Sequence, residues 1–299
     1  MIKTFLLAVL FSLVTEAWSQ PKTLIEWTFD TPGDFEGWGW PNHISELQVR
    51  DGALQGRIMD WDPFVRSPQF EIPATPWQRV EVRLKTNVGG YAEIFWTNTT
   101  ESQYGGFSPG KETGFEVVGD NQWHVYQIYP FWHSESKIIL LRLDLPRPPA
   151  GNEGAGTFAV DWIRVVDLGT PSQSRAEPNF DFAQGTHEWE PLGGGALTLT
   201  PEGVRFTNGS SAAAYMVSPP LRVEVGERCW VAVHMAVDRG STGQILWVSS
   251  KRAGLQSARF TLRPDGAFHT YNIDLSDNGA WSGELLMLGI LPSSEAGAT

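Results

Sequence analysis

Residues Arg79–Thr86 read RVEVRLKT, with Val80, Val82 and Leu84 on one side and Arg79, Glu81, Arg83 and Lys85 on the other. A period of two with charged alternates predicts a strand of an antiparallel sheet, one face covered and the other wet. Phe158–Val165 (FAVDWIRV) is apolar on both faces. Phe158, Val160 and Trp162 point one way, and Ala159, Asp161, Ile163 and Val165 the other. Such a strand needs neighbours on both sides, and its carboxylate, Asp161, needs a partner, because an unpaired buried charge is costly. Tyr91–Trp96, Phe115–Val118, Trp123–Tyr129 and Ile138–Leu145 also read as strands, separated by turns such as Gly89-Gly90 and Gly119-Asp120-Asn121. No segment holds a helical period. Strands at this spacing predict a sandwich or jelly roll.

The pattern then repeats. Phe29-Asp30 returns as Phe180-Asp181, Trp38 as Trp189, Ser67-Pro68 as Ser218-Pro219 and Trp96 as Trp247, all at one offset of 151 residues. Later matches follow in order with small gaps: Trp123-His124-Val125-Tyr126 with Phe268-His269-Thr270-Tyr271, Trp132 with Trp281, and Glu153–Thr157 with Glu295–Thr299. An ordered series of this kind indicates duplication. The chain divides into residues 20–167 as a first module, a polar linker at 168–178 with two prolines, and a second module at 179–299. Thr157 leads into the closing strand FAVDWIRV, whereas its counterpart Thr299 leads into nothing. The expectation is an open slot in the second sandwich and a longer natural chain.

Residues 1–19 add a positive start at Lys3, an apolar run over Phe5–Val14 and a cleavage-like Ala17-Trp18-Ser19. That is the pattern of a secretory signal peptide, too short to span a bilayer as a helix. A secreted protein, extracellular or periplasmic, is expected. The net charge of −12 argues against nucleic acid and anionic membrane surfaces as partners, and no other stretch is long and apolar enough for membrane insertion. The single cysteine, Cys229, excludes an internal disulfide.

The series FD…FEGW, DPF-V-R-SP, VEVRLKT…AEIFW, WHVYQI, LLRLDLP and FAVDWIRV resembles the galactose-binding-like β-sandwich modules of secreted bacterial proteins. The resemblance covers residues 27–167 and, more loosely, 179–299. Modules of that family are commonly appended to polysaccharide-degrading or surface proteins. The resemblance implies a non-catalytic role: many such modules bind carbohydrate, and some only brace a neighbouring domain. It requires no cofactor but allows a structural calcium, since similar modules use a carboxylate after the first strand and one on the last. Here those are Asp30, in the oxygen-rich Phe29–Asp34 loop, and Asp161. Calcium takes several oxygen ligands. The alternative is that Asp30 caps a turn and Asp161 pairs with an arginine.

Gly106-Phe107-Ser108-Pro109-Gly110 fits a nucleophile-elbow pattern, but Pro109 has no N–H for an oxyanion hole and a strand, not a helix, follows. The six histidines show no zinc-ligand spacing. Tryptophan (14) outnumbers tyrosine (6), which turns attention to stacking surfaces. Trp27, Trp38, Trp77, Trp96, Trp123 and Trp162 lie in or beside apolar strands and read as core. Trp40, Trp61 and Trp132 lie instead among polar neighbours: Asn42 and His43, Asp60, and His133. A flat ring beside hydrogen-bonding groups is what a sugar site needs. The alternative is that these rings seal one end of the sandwich. The second copy has Pro191 opposite Trp40 and Ala212 opposite Trp61, so the first copy is the better candidate.

The sequence therefore predicts an all-β protein of two tandem antiparallel β-sandwich domains of the jelly-roll, galactose-binding-like kind. The expected function is non-catalytic carbohydrate binding or targeting, with a polysaccharide or glycan as partner through Trp40, Asn42, His43, Asp60, Trp61, Trp132 and His133. The alternatives are sandwich modules that brace a neighbouring domain, or the N-terminal part of a polysaccharide-active enzyme whose catalytic C-terminal domain lies beyond residue 299.

Overall fold

The computed structural model describes residues 21–101, 103–171, 174–208 and 214–299. The expected signal peptide (1–19) and Ala212 lie outside the described residues. The architecture is all-β, and every strand pairing within its sheets is antiparallel. The first half contributes β1 (Lys22–Trp27), β2 (Gly39–Asn42), β3 (Ile44–Arg50), β4 (Ala53–Ile58), β5 (Phe64–Arg66), β6 (Ile72–Pro73), β7 (Gln78–Thr86), β8 (Gly90–Thr97), β9 (Glu112–Val117), β10 (His124–Ile128), β11 (Lys137–Ile138), β12 (Leu140–Asp144) and β13 (Gly156–Asp167). The second half contributes β14 (Glu190–Leu192), β15 (Ala196–Thr200), β16 (Gly203–Thr207), β17 (Tyr215–Val217), β18 (Val223–Glu224), β19 (Trp230–Met235), β20 (Thr242–Ser249), β21 (Arg252–Thr261), β22 (His269–Asp274) and β23 (Glu284–Leu291).

In the first half one sheet runs β10-β7-β13-β4-β3, with β1 also on β13, and it faces a sheet of order β2-β5-β12-β8-β9. β13 joins the first sheet: it pairs with β4, β7 and β1. The alternating residues of both sheets meet in one core. Leu54, Ile58, Val80, Val82, Leu84, Val160, Ile163 and Val165 from one side and Val65, Ile94, Leu141 and Leu143 from the other are completely buried. Removing that apolar area from water is the main favourable term of the fold.

Strict alternation along FAVDWIRV is broken. The pairing of β13 with β7 slips between Val160 and Trp162, a β-bulge that places one extra residue, Asp161, against its partner strand. Phe158 and Val160 before the bulge and Ile163 and Val165 after it therefore all face the core. Trp162 is turned outward, where the Arg164 guanidinium covers its ring at 4.4 Å. Trp27, Trp38 and Trp96 are core residues as expected. Trp77 and Trp123 are not: each is half-buried, Trp123 beneath the cations of Arg83 and Lys85 and Trp77 beside the second half of the chain.

The second half repeats one sheet in full, as β14-β17-β23-β20-β21 with β18 also on β23. The other sheet is present as two separate pairs, β15-β16 and β19-β22. These match β3-β4 and β7-β10, the strands that β13 joins in the first half. The two halves pack on each other through Phe131, Val217, Val248, Leu286 and Met287, with Trp77, Tyr129, Leu192 and Tyr215 around them. Burial there, with Tyr129 nearby, raises the pKa of the Tyr215 hydroxyl.

Candidate functional site

The outer face of β2-β5-β12-β8-β9 carries the most unusual chemistry of the molecule. Alternation sends Val65, Leu141, Leu143 and Ile94 inward and leaves Phe64, Arg66, Arg142, Asp144, Glu93 and Phe95 on the outside. The ladders set them in two cross-strand rows. Arg66, Arg142, Phe95 and Glu112 form one; Phe64, Asp144, Glu93 and Gly114 form the other.

Arg142 and Asp144 are the centre of this face. Two residues apart on β12, they share a side, and Arg142 grips both carboxylate oxygens at 2.7 and 2.6 Å. The guanidinium lies flat between the rings of Phe64 at 4.4 Å and Phe95 at 4.2 Å. Stacking and a bidentate carboxylate are the two contacts that arginine geometry serves best. Burial pushes the Asp144 carboxyl up to about 6; the Arg142 charge opposes that shift, and Asp62 and Glu93 reinforce it. Burial also raises the Glu93 pKa, with Glu112 adding to it. Tyr91 shares a hydrogen bond with Glu93, and its ring covers β9 where Gly114 leaves room: a Cβ there would overlap the ring.

Aromatic residues stand at the margins. Trp40 is 72% exposed and Trp61 66% exposed; Tyr104 and Tyr91 are also largely exposed. The Arg66 guanidinium sits 4.6 Å over the Trp40 ring. Trp61, Asp62, Tyr91, Glu93, Asp144 and Arg147 converge on one open cavity of about 470 Å³. The Asn42 amide donates to the Asp62 backbone and carboxylate at 2.6 and 3.2 Å, and Asp60 accepts from the Trp61 N–H at 2.8 Å, so both residues shape the loop that carries Trp61. His43 lies edge-on to the Trp61 ring, 5.7 Å between centroids. Trp40, His43 and Tyr104 all have left-handed backbones, with φ of 53°, 45° and 63°. Left-handed φ is uncommon outside glycine and costs of order 1–3 kcal/mol per residue. Two polar atoms of the face, Arg66 Nε and Glu112 Oε2, are buried with no hydrogen-bond partner, a costly state unless something else supplies the bond.

Of the residues expected from the sequence, Trp40, Asn42, His43, Asp60 and Trp61 lie on or beside this face. Trp132 and His133 do not. Trp132 is completely buried, donating from Nε1 to Gln78 Oε1 at 2.6 Å and meeting Trp96 edge-to-face. Phe131 has a φ of 48°, and the two residues beside Trp132 point to the second half: the Phe131 carbonyl accepts from Gly254, and His133 Nε2 meets the Ser249 carbonyl at 2.8 Å. A loop that looked polar from its neighbours is thus a plug into the core. The residues that sequence reading missed are Arg66, Tyr91, Glu93, Tyr104, Arg142 and Asp144. The signal for the central pair was present in Leu141-Arg142-Leu143-Asp144, where opposite charges alternate with leucines and so share a face.

For the carboxylates expected to hold calcium, the arginine alternative fits Asp161, which is ion-paired with Arg83. Asp30 is exposed, and the acid that organises its loop is Glu36, which accepts the backbone N–H groups of Thr28 and Phe29 at 3.0 and 2.7 Å. Among the described residues no group of three or more His, Cys, Asp or Glu side chains could hold a metal ion.

No family model matches the sequence, and no curated protein matches it. Solved structures with a similar arrangement are mostly carbohydrate-binding modules. The N-terminal tandem CBM22 domain of a Paenibacillus barcinonensis protein is 14% identical over 95% of this chain and 93% of its own, with a TM-score of 0.31. The second N-terminal cellulose-binding domain of Cellulomonas fimi β-1,4-glucanase C is 13% identical over 51% of this chain and 98% of its own, with a TM-score of 0.35. The family 29 carbohydrate-binding module CBM29_1 from Piromyces equi is 10% identical over 49% of this chain and 91% of its own, with a TM-score of 0.33.

Proposed function

We propose that the protein is a secreted, non-catalytic glycan-binding protein whose ligand lies on the outer face of β2-β5-β12-β8-β9. One observation carries the reading. Trp40, Tyr104, Trp61 and Tyr91 stand exposed around a shallow surface floored by Arg66, Arg142, Asp144 and Glu93. Flat rings take the C–H faces of pyranose units, and fixed charged groups take their hydroxyls. The unpaired Arg66 Nε and Glu112 Oε2 are groups that a ligand hydroxyl would satisfy. Both oxygens of Asp144 are already engaged by Arg142, which suits recognition better than proton transfer. The test is a glycan-array screen of residues 20–299 followed by calorimetric titration of the best polysaccharide. Trp61→Ala is expected to weaken binding about tenfold, the scale of one lost aromatic contact, with the melting temperature unchanged. Absence of binding to any glycan, or binding that survives Trp40→Ala and Trp61→Ala together, would refute the reading.

A further inference from the structure

The two halves do not close on each other everywhere. Between them lies a cavity of about 490 Å³. Trp77, Tyr129 and Phe131 of the first half line it on one side, and Leu192, Val217 and Met287 of the second half on the other. The Tyr129 and Phe131 rings are nearly parallel, 6.2 Å apart between centroids and 23° between planes. A volume between about 300 and 1,000 Å³, apolar and aromatic walls, and a position where two folded units meet are the marks of a small-molecule site.

Three charged side chains also line the cavity: Arg79, Glu188 and Glu190. Trp189 is buried in the second core, and the residues on either side of it, Glu188 and Glu190, lie on the cavity side instead. The matching positions beside Trp38 in the first half are Gly37 and Gly39, so the two carboxylates belong only to the copy that meets the cavity. Glu188 pairs with Arg175 at 3.6 Å, while Glu190 has no ion pair among the described residues. Arg79 is engaged by Glu81 at 2.6 Å, and Arg164 also binds Glu81 at 2.6 Å. The Arg79 Nε is buried with no hydrogen-bond partner.

These groups select among ligand classes. A sugar carries a hydroxyl on nearly every carbon, and walls of this kind would leave most of them unpaired at a cost. An organic anion would meet Glu188 and Glu190, with the one lining cation already held by Glu81. A flat apolar body with a positive charge meets neither objection. We propose that the cavity between the halves is a second ligand site, distinct from the glycan face, and that it takes a small aromatic amine. The ring lies among Trp77, Tyr129 and Met287, the ammonium group reaches Glu190, where a charge-assisted hydrogen bond forms, and an acceptor atom on the ring system satisfies Arg79 Nε.

The experiment titrates the full chain by calorimetry with tryptamine and with indoleacetate, which share a ring and differ in the sign of the charge. The Met287 methyl signal is followed by NMR in the same titrations. Tryptamine is expected to bind saturably with a Kd below about 1 mM, an ordinary affinity for a ligand of that size, and to shift the Met287 methyl. Indoleacetate should bind at least about tenfold more weakly, and Glu190→Gln should weaken tryptamine about tenfold, the scale of one charge-assisted contact. Trp61→Ala should leave tryptamine binding unchanged, which separates this site from the glycan face. Absence of saturable tryptamine binding, indoleacetate binding as tightly, or an affinity untouched by Glu190→Gln would each overturn the proposal. Binding that leaves the Met287 methyl unmoved and is lost in Trp61→Ala would overturn it by placing the amine on the first face.

Discussion

The same five-stranded sheet occurs twice in this chain, and its outer face has opposite uses. In the first half Arg142 of β12 lies between Arg66 of β5 and Phe95 of β8. In the second half the equivalent ladder sets Gly289 of β23 between Val217 of β17 and Leu246 of β20. The charged version stays open to solvent with aromatic margins. The apolar version, through Val217, Val248 and Met287, is packed against Phe131 and Trp77 of the first half. Backbone pairing is indifferent to this choice, because outward side chains take no part in the ladder hydrogen bonds. A few differences at outward positions leave one face charged and open and make its duplicate an apolar contact between the halves.

The largest effect should come from the paired core tryptophans. Trp132→Ala should cost about 3–5 kcal/mol in denaturant unfolding, as for other large-to-small changes in a closed core. Its counterpart Trp281, half-exposed beside Trp247, should cost clearly less. Equal losses would mean that the second core is as complete as the first. Next, Arg142→Ala leaves the buried Asp144 carboxylate unpaired and should cost about 3–5 kcal/mol, while Gly289, at the matching place, has no charge to lose. Removing both charges with Asp144→Asn in the same chain should recover most of the loss. Third, Met287→Glu places a charge in the contact between the halves. It should separate them, read as a larger radius of gyration in small-angle scattering, without changing glycan titration at the first half; loss of glycan binding would show that the support is part of recognition.

The smallest expected effect is on pH dependence. The Asp144 carboxyl is raised to about 6 by burial, from an ordinary value of 3.8. The folded state therefore holds this proton more tightly than the unfolded chain does. Its contribution favours folding as pH falls through about 6 and is lost as pH rises above it. Carbon-detected NMR titration of the Asp144 carboxyl should find a midpoint near 6, and Asp144→Asn should flatten the stability profile between pH 4 and 7. A midpoint near 4 would mean that Arg142 outweighs burial.

Much of the fold was legible from the chain alone. Alternation in Arg79–Thr86 located β7, the doubly apolar Phe158–Val165 located the joining strand β13, and the ordered repeats located the second copy. These signals are local: a strand buried on one face alternates, and a β-bulge, as at Asp161, shifts the alternation by one residue so that apolar residues occur at both parities. The candidate site was legible only in part. Trp40 and Trp61 stood out because tryptophan among polar residues in a loop is unusual, but the same rule misplaced Trp132. Arg66, Glu93 and Asp144 passed unnoticed because each sits in an ordinary alternating strand.

The sequence by itself determined the class of fold and the duplication. These follow from chain-local periods and from internal comparison, which need no knowledge of distant neighbours. Only the tertiary structure decided that Asp161 sits in a β-bulge against Arg83, that Trp132 fills the core, that Asp144 is pushed toward neutrality, and that one copy's outer face is covered by the other. Each of those depends on which residues far apart in the chain share a space, and on how much water that space excludes. Burial sets the cost of a charge and the direction of a tryptophan, and burial belongs to the packed molecule rather than to any stretch of its sequence.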